Sequence, residues 1–131
     1  MAKTIYPTPV TLDNDQALPT GVHIWKWVDV DSGDTLMPAV VGVFTDKAVG
    51  FVVGTAGDGA LGLEGTIDPA VTPTTWYTLH DVRAGSNTIA SVTATSTYQI
   101  LENCFQVRPT ISGTTGANHT VWLIATTPAR R

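Results

Sequence analysis

His23, His80 and His119, the lone Cys104, the acidic run Asp29-Val30-Asp31-Ser32-Gly33-Asp34 and the glycine loop Gly57-Asp58-Gly59-Ala60-Leu61-Gly62 are the parts of this 131-residue chain suited to chemistry. A thiol beside a histidine base can attack carbonyls, a glycine loop can cradle a pyrophosphate, and an acidic loop can hold calcium. Each reading fails on what surrounds it. Gly57–Gly62 fits G-x-G-x-x-G after the apolar stretch Gly50–Val53, and Asp81 follows about twenty residues later, where a ribose-binding acid would stand. A dinucleotide site also needs a helix N-terminus aimed at the phosphates, and Gly65, Pro69 and Pro73 leave no room for one. An EF-hand counted from Asp29 would need Gly and Glu where Asp34 and Val40 stand, so this run reads as a hairpin turn.

Cys104 lies in the strand-like run Ile100–Phe105, where a small buried thiol is ordinary. His80 and Asp81 are adjacent, and neighbours along a strand point to opposite faces, so they form no dyad within one strand. The three histidines are far apart in sequence, with no close pair and no cysteine-rich spacing for zinc. Asn118-His119-Thr120 matches a glycosylation sequon and is read as chance. No catalytic residue, no cofactor and no metal is expected.

Composition narrows the field further. Net charge is -4, and the only cationic cluster is Arg130-Arg131, which excludes a phosphate-neutralising patch and with it direct nucleic-acid binding. Charged residues make up 14% against a usual share of about 25%. Between Ala84 and Pro128 only Glu102 and Arg108 are charged, amid dense Thr, Ser, Val and Ile. A solvated surface normally carries interspersed charges. A β-branched stretch without them points to strands with one face in a core and the other against neutral surroundings, of which neighbouring protein is the commonest. One cysteine excludes an intrachain disulfide and suits a reducing cytoplasm. No apolar run is long enough for a signal h-region or a membrane span, so no membrane partner is expected.

The elements that must position these residues are strands. Only two glutamates and three lysines are present, too few for the outer faces of long helices. Residues 1–20, with Pro7, Pro9 and Pro19, read as an extended N-terminal arm carrying a short strand at Thr8–Leu12. Residues 21–131 read as one domain. Val22–Val30 opens it, dividing into Val22, Ile24, Lys26, Val28 and Val30 on one face and His23, Trp25, Trp27 and Asp29 on the other. Ala39–Phe44 and Ala48–Val53 fit a hairpin, residues 54–66 a glycine-rich loop, and Trp76–Leu79 a short strand or turn. Thr88–Thr95, Tyr98–Val107 and His119–Thr126 complete about seven or eight strands with turn signals near every ten residues. The expected fold is all-β, a single-domain β-sandwich, either a jelly roll or an immunoglobulin-like Greek key. The missing cysteine pair around a Trp favours the jelly roll.

Trp76, Thr78 and Leu79, the run Tyr98–Asn103, Val107-Arg108-Pro109-Thr110-Ile111 with a glycine turn, and the closing strand His119–Ala125 form a pattern over residues 75–127. In this pattern the chain resembles small structural proteins of tailed-bacteriophage head modules. The resemblance implies a capsid decoration, or cement, protein: a non-enzymatic virion component on the capsid exterior, made in the host cytoplasm. Its implied partners are the major capsid protein and itself, as homodimer or homotrimer. Candidate interface residues are Tyr6, Pro7 and Pro9 of the arm, the strand residues Trp25 and Trp27, and the isolated charges Glu102 and Arg108. Trp25 and Trp27 on one face also fit a sugar-stacking platform, which makes a carbohydrate-binding β-sandwich of a phage tail or adhesion module the alternative. A tail-tube or head–tail joining subunit is the other.

Overall fold

A computed structural model describes residues 3–12, 16–42, 44–54, 59–70, 72–83, 87–113 and 118–127. Among them the chain forms eleven strands and no helix, as its shortage of charged helix formers requires. The long strands are β3 (Val22–Val30), β6 (Asp46–Val52), β7 (Ala60–Thr66), β10 (Gln106–Ser112) and β11 (His119–Thr126). Shorter ones are β1 (Thr4–Ile5), β2 (Thr8–Pro9), β4 (Thr35–Leu36), β5 (Ala39–Val40), β8 (Tyr77–Thr78) and β9 (Ser96–Gln99). The excess over the expected seven or eight consists of two-residue strands.

Two sheets carry the fold. One has the order β2-β3-β11-β6-β9 and the other β5-β10-β7-β8, with every neighbouring pair antiparallel. Set aside β1, β2 and β4, and eight strands remain, paired first with last: β3 with β11, β5 with β10, β6 with β9, β7 with β8. Such a ribbon of distant pairs, wrapped so that β11 also meets β6 and β10 also meets β7, is a jelly roll. The immunoglobulin-like Greek key is thereby set aside.

Between the sheets lies one apolar cluster. Trp27, Val49, Phe51, Val121 and Leu123 come from the five-stranded sheet, and Leu61, Leu63 and Val107 from the other, all buried. Ile89 and Val92 fill the side near β7. The Trp27 indole N–H donates to the carbonyl of Met37 at 2.8 Å, so its one polar atom is satisfied inside the core.

A bulge adjusts β3. His119 faces Val30 but Val121 faces Trp27, so β3 holds one residue more than β11 across that interval. Asp29, at φ +54°, takes up the surplus in the left-handed region that aspartate tolerates better than most residues. Trp27 and Val30 therefore both point inward, although strict alternation places them on opposite faces.

Four sequence expectations change on contact with the structure. Residues 60–66 are not loop but a central strand whose glycines allow close packing: a Cβ at Gly62 would meet Thr110 Oγ1 at 2.7 Å, and one at Gly65 would meet Cys104 Sγ at 2.7 Å. Ala39–Val40 and Asp46–Val52 do not form a hairpin; they belong to different sheets and the chain crosses between them. Thr88–Thr95 is no continuous strand. Ser91 at φ +57° breaks it, leaving Ile89 and Val92 hydrogen-bonded to β7 on either side. Tyr98–Val107 is split into β9 and β10 because the chain leaves one sheet at Ile100, bonded to Lys47, and joins the other at Phe105, bonded to Thr66.

The N-terminal residues lie against their own body. β1 runs parallel to β4, β2 adds an edge to β3, and Ile5 is buried in the core. Lys3 closes the clasp: its ammonium meets Asp34 Oδ2 at 2.9 Å, and its N–H donates to Asp34 Oδ1 at 3.0 Å. Burial pushes the Asp34 carboxyl up, but the N–H of Asp31 and the two Lys3 donors outweigh it and hold it below its ordinary 3.8. A carboxylate depressed on folding stabilises fully above its unfolded value and stops doing so as pH falls through the folded one. Acidification below 3.8 should therefore speed amide exchange at Thr35 and Met37, whose N–H groups bond to Lys3 and Ile5. Asp34→Asn should remove that pH dependence; unchanged exchange across the acid range in the wild type would contradict the clasp.

Candidate functional surface

Among the described residues the three histidines and Cys104 are distributed over separate parts of the fold, apart from the hollow shared by His80 and Cys104. His23 and His119 lie at opposite ends of the β3–β11 pair, opposite Ala125 and Val30 respectively. His23 stands 4.7 Å from the Phe44 ring, and buried His119 accepts the Gly54 N–H at 3.0 Å through Nδ1. His80 does have a carboxylate partner, though not Asp81. Its Nδ1 meets Glu102, twenty-two positions away, and its N–H donates to the same carboxylate at 2.8 Å. Sequence spacing gives no sign of this pair, which the packing of residues 80 and 101 against each other creates. Asp81 turns instead to Arg83, which lies 2.7 Å away and holds the carboxyl below its ordinary range.

His80, Glu102 and Cys104 line a single hollow of about 460 Å³ with Tyr77 and Asn103 at its mouth. A cysteine nucleophile must be a thiolate. Burial pushes the Cys104 thiol up to about 11, with nearby Lys47 only partly opposing it, so at neutral pH the sulfur is a protonated core atom beside a structural pair. Of the two loop motifs, Gly57 and Asp58 lie outside the described residues, while Gly62 sits inside β7. The Asp31–Asp34 run is a turn closed by its own backbone and by Lys3, and Asp31 Oδ1 accepts the Asn118 N–H at 2.9 Å. Among the described residues no cluster of three or more His, Cys, Asp or Glu has the geometry to hold a metal.

The two isolated charges of the C-terminal stretch are each paired within the chain, to different partners. Register sets Arg108 opposite Glu64, at 3.1 Å, and the guanidinium lies 4.0 Å from the centre of the Trp76 ring. Glu102 is occupied by His80. Of the two tryptophans proposed for a platform, Trp27 has no exposed surface and Trp25 packs against the core near Phe44. The inward face they share is the core itself, so they do not present two rings to a ligand. Tyr6 is 65% exposed, Pro9 is exposed and Pro7 half-buried along the β2 edge.

What distinguishes the surface is a contrast between the outer faces of the two sheets. Outside β10 and β7 the chain covers itself. Gln106 donates to the carbonyls of Asp68 and Ala70, and Trp76 lies over Arg108. Gln106 and Thr66 are thereby buried. Among the described residues the outer face of the five-stranded sheet has no such cover. Register aligns Thr8, Lys26, Trp122, Gly50 and Thr97 in one row across all five strands, and Ile24, Ile124, Ala48 and Gln99 in the next. Val28, Val52, Trp122 and Ile124 are 36–45% exposed. A second open hollow of about 460 Å³ sits over Gly50, walled by Trp122, Thr97, Val52, Ala48 and Ile24. Lys26, 5.5 Å from the centre of the Trp122 ring, is the only charge in the central row. Association through this face would remove apolar surface at about 25 cal/mol per Å² while desolvating few ions.

Cys104 and Gly65 give a direct check on the structural reading of the other hollow. A thiol reagent should label Cys104 only as fast as the chain opens. Gly65→Ala should destabilise by about 1–3 kcal/mol in urea unfolding, because its Cβ would press on Cys104 Sγ and on Leu79 at 3.0 Å. Rapid stoichiometric labelling of the folded protein would instead mark an accessible, activated thiol. Comparisons with protein-family models, with curated proteins and with solved structures find no match for this chain.

Proposed function

We propose that this protein is a non-enzymatic virion component that decorates a phage capsid, acting as a homo-oligomer that bridges major capsid protein subunits. One observation carries the reading: a jelly roll leaves the outer face of its larger sheet weakly charged and, among the described residues, uncovered around the exposed Val28, Val52, Trp122 and Ile124, while β7 and β10 of the other sheet are partly covered by the chain itself. A large exposed apolar patch marks an interaction surface. The three histidines, Cys104 and Glu102 are engaged in internal contacts or burial, which is what a scaffold asks of them. Jelly rolls also serve as capsid and lectin domains, so the fold admits the role without selecting it. The resemblance to phage head proteins read from residues 75–127 supports the capsid over the sugar, as does the burial of Trp27.

Purified protein mixed with undecorated phage shells should cosediment saturably at a fixed ratio to the major capsid protein, and decorated shells should resist heat or osmotic shock better. Absence of binding at any concentration would refute the proposal. Quenching of tryptophan fluorescence by oligosaccharides, with no shell binding, would transfer the assignment to the carbohydrate-binding class. The arm enters differently from a free tail. Deleting residues 3–12 removes Ile5 from the core and should lower the melting temperature, so Tyr6→Ala, at an exposed position, is the cleaner probe of arm contacts with a shell.

A further inference from the structure

We infer that the outer face of the five-stranded sheet closes on the same face of a second copy, about a two-fold axis running along the strands between β11 and β6. This names the occupant of the face taken above as an assembly surface, and in that respect rests on the proposed function.

The shape of the central row carries the inference. Trp122 on β11, the largest side chain of the face, lies directly across from Gly50 on β6, which has none. A ridge and a notch of matching rank therefore stand side by side at the middle of the sheet, with a hollow of about 460 Å³ over the notch. A two-fold axis between the two strands exchanges them: it lays each Trp122 into the partner's Gly50 hollow, twice over. Self-complementarity of this kind is what an isologous interface requires. Large aromatic side chains seated in pockets near the centre are the usual anchors of protein contacts.

Charge agrees with the same operation. The axis carries β3 onto the partner's β9, so Lys26 falls over the neutral Thr97 and Gln99 edge rather than over a second Lys26. Asp46, at the far end of β6, falls over the Thr126 end of β11, not over another carboxylate. Among the described residues of the face no like charges are opposed. An axis along β11 itself would set Trp122 on Trp122 and bring Lys26, not Trp122, over each notch.

Area sets the strength. Three strands contribute seven residues each, β2 two and β9 four, and at about 4.8 Å by about 3.3 Å per residue they cover roughly 430 Å² in projection. Even with side-chain relief that stays below the about 800 Å² per partner of a stable complex. The dimer should therefore be reversible and concentration-dependent, a property useful to a subunit held in place by a lattice.

Glycine at position 50 also supplies a clean test. A Cβ there would meet Thr97 Cγ2 at 3.6 Å and Trp122 Cβ at 4.0 Å, ordinary contacts, and its φ is not in the left-handed region. Gly50→Thr should fold at least as well as the wild type while filling the notch. In sedimentation equilibrium from micromolar to millimolar protein without shells, the wild type should rise from one toward two copies. Gly50→Thr and Trp122→Ala should each weaken that association about tenfold or more, with unchanged far-ultraviolet circular dichroism. A wild type that stays monomeric throughout overturns the inference, as does a dimer that both variants leave intact. Shell binding is measured separately: a dimer that never binds shells removes the capsid reading and keeps the dimer, and a monomer that binds shells does the reverse.

Discussion

β3 and β11 join residues 22–30 to residues 119–126 along nearly their whole length, and the rest of the sandwich depends on that pairing. β2 hangs on the far side of β3, and β6 with β9 on the far side of β11. Without the β3–β11 ladder neither the inner row of Trp27, Val121 and Leu123 nor the outer row of Lys26, Trp122 and Gly50 exists. The same is true at smaller scale of β5 with β10 and β6 with β9, which also join segments distant in sequence, whereas β7 and β8 are consecutive strands. Such contacts reward the chain only after long loops have closed, which makes folding slow relative to a helical protein of equal size. A fold held this way is cooperative: the faces are whole or absent.

Within that frame the two faces of the larger sheet follow from side-chain alternation, and the bulge at Asp29 is the one place where alternation is reset. The reset draws Val30 under the sandwich with Trp27 and frees the end of β3 to turn through Asp31–Asp34, where the Lys3 clasp is made. Backbone irregularity, a surface clasp and the path of the N-terminal segment are thus one local solution to ending a long strand over a core.

Much of this was legible in the residues. Val22–Val30 and His119–Thr126 read as strands, and the alternation of Val121, Leu123 and Ala125 against Trp122 and Ile124 is the inward and outward division observed. Within the weakly charged stretch between Ala84 and Pro128, Trp122, Ile124 and Thr97 lie on the outer face of the larger sheet. Yet Gly50, Val52 and Ile24 complete the face from other parts of the chain, and register alone brings them together. β7 escaped notice because glycine signals turns and close packing alike, and only the neighbours Thr110 and Cys104 tell which is meant. The His80–Glu102 pair was illegible for a related reason: two segments twenty-two positions apart meet through tertiary packing that no local pattern records.

Pro9, already noted as an exposed member of β2, has an effect at the rim of the sheet. Proline has no N–H to offer an incoming strand, and β2 is only two residues long. The border it forms is a poor template for adding another chain edge to edge, the route by which apolar, weakly charged β-proteins pass into fibres. A sequence that gives up electrostatic repulsion to keep a neutral surface has to block that route by other means, and a blunt, proline-bearing rim is one.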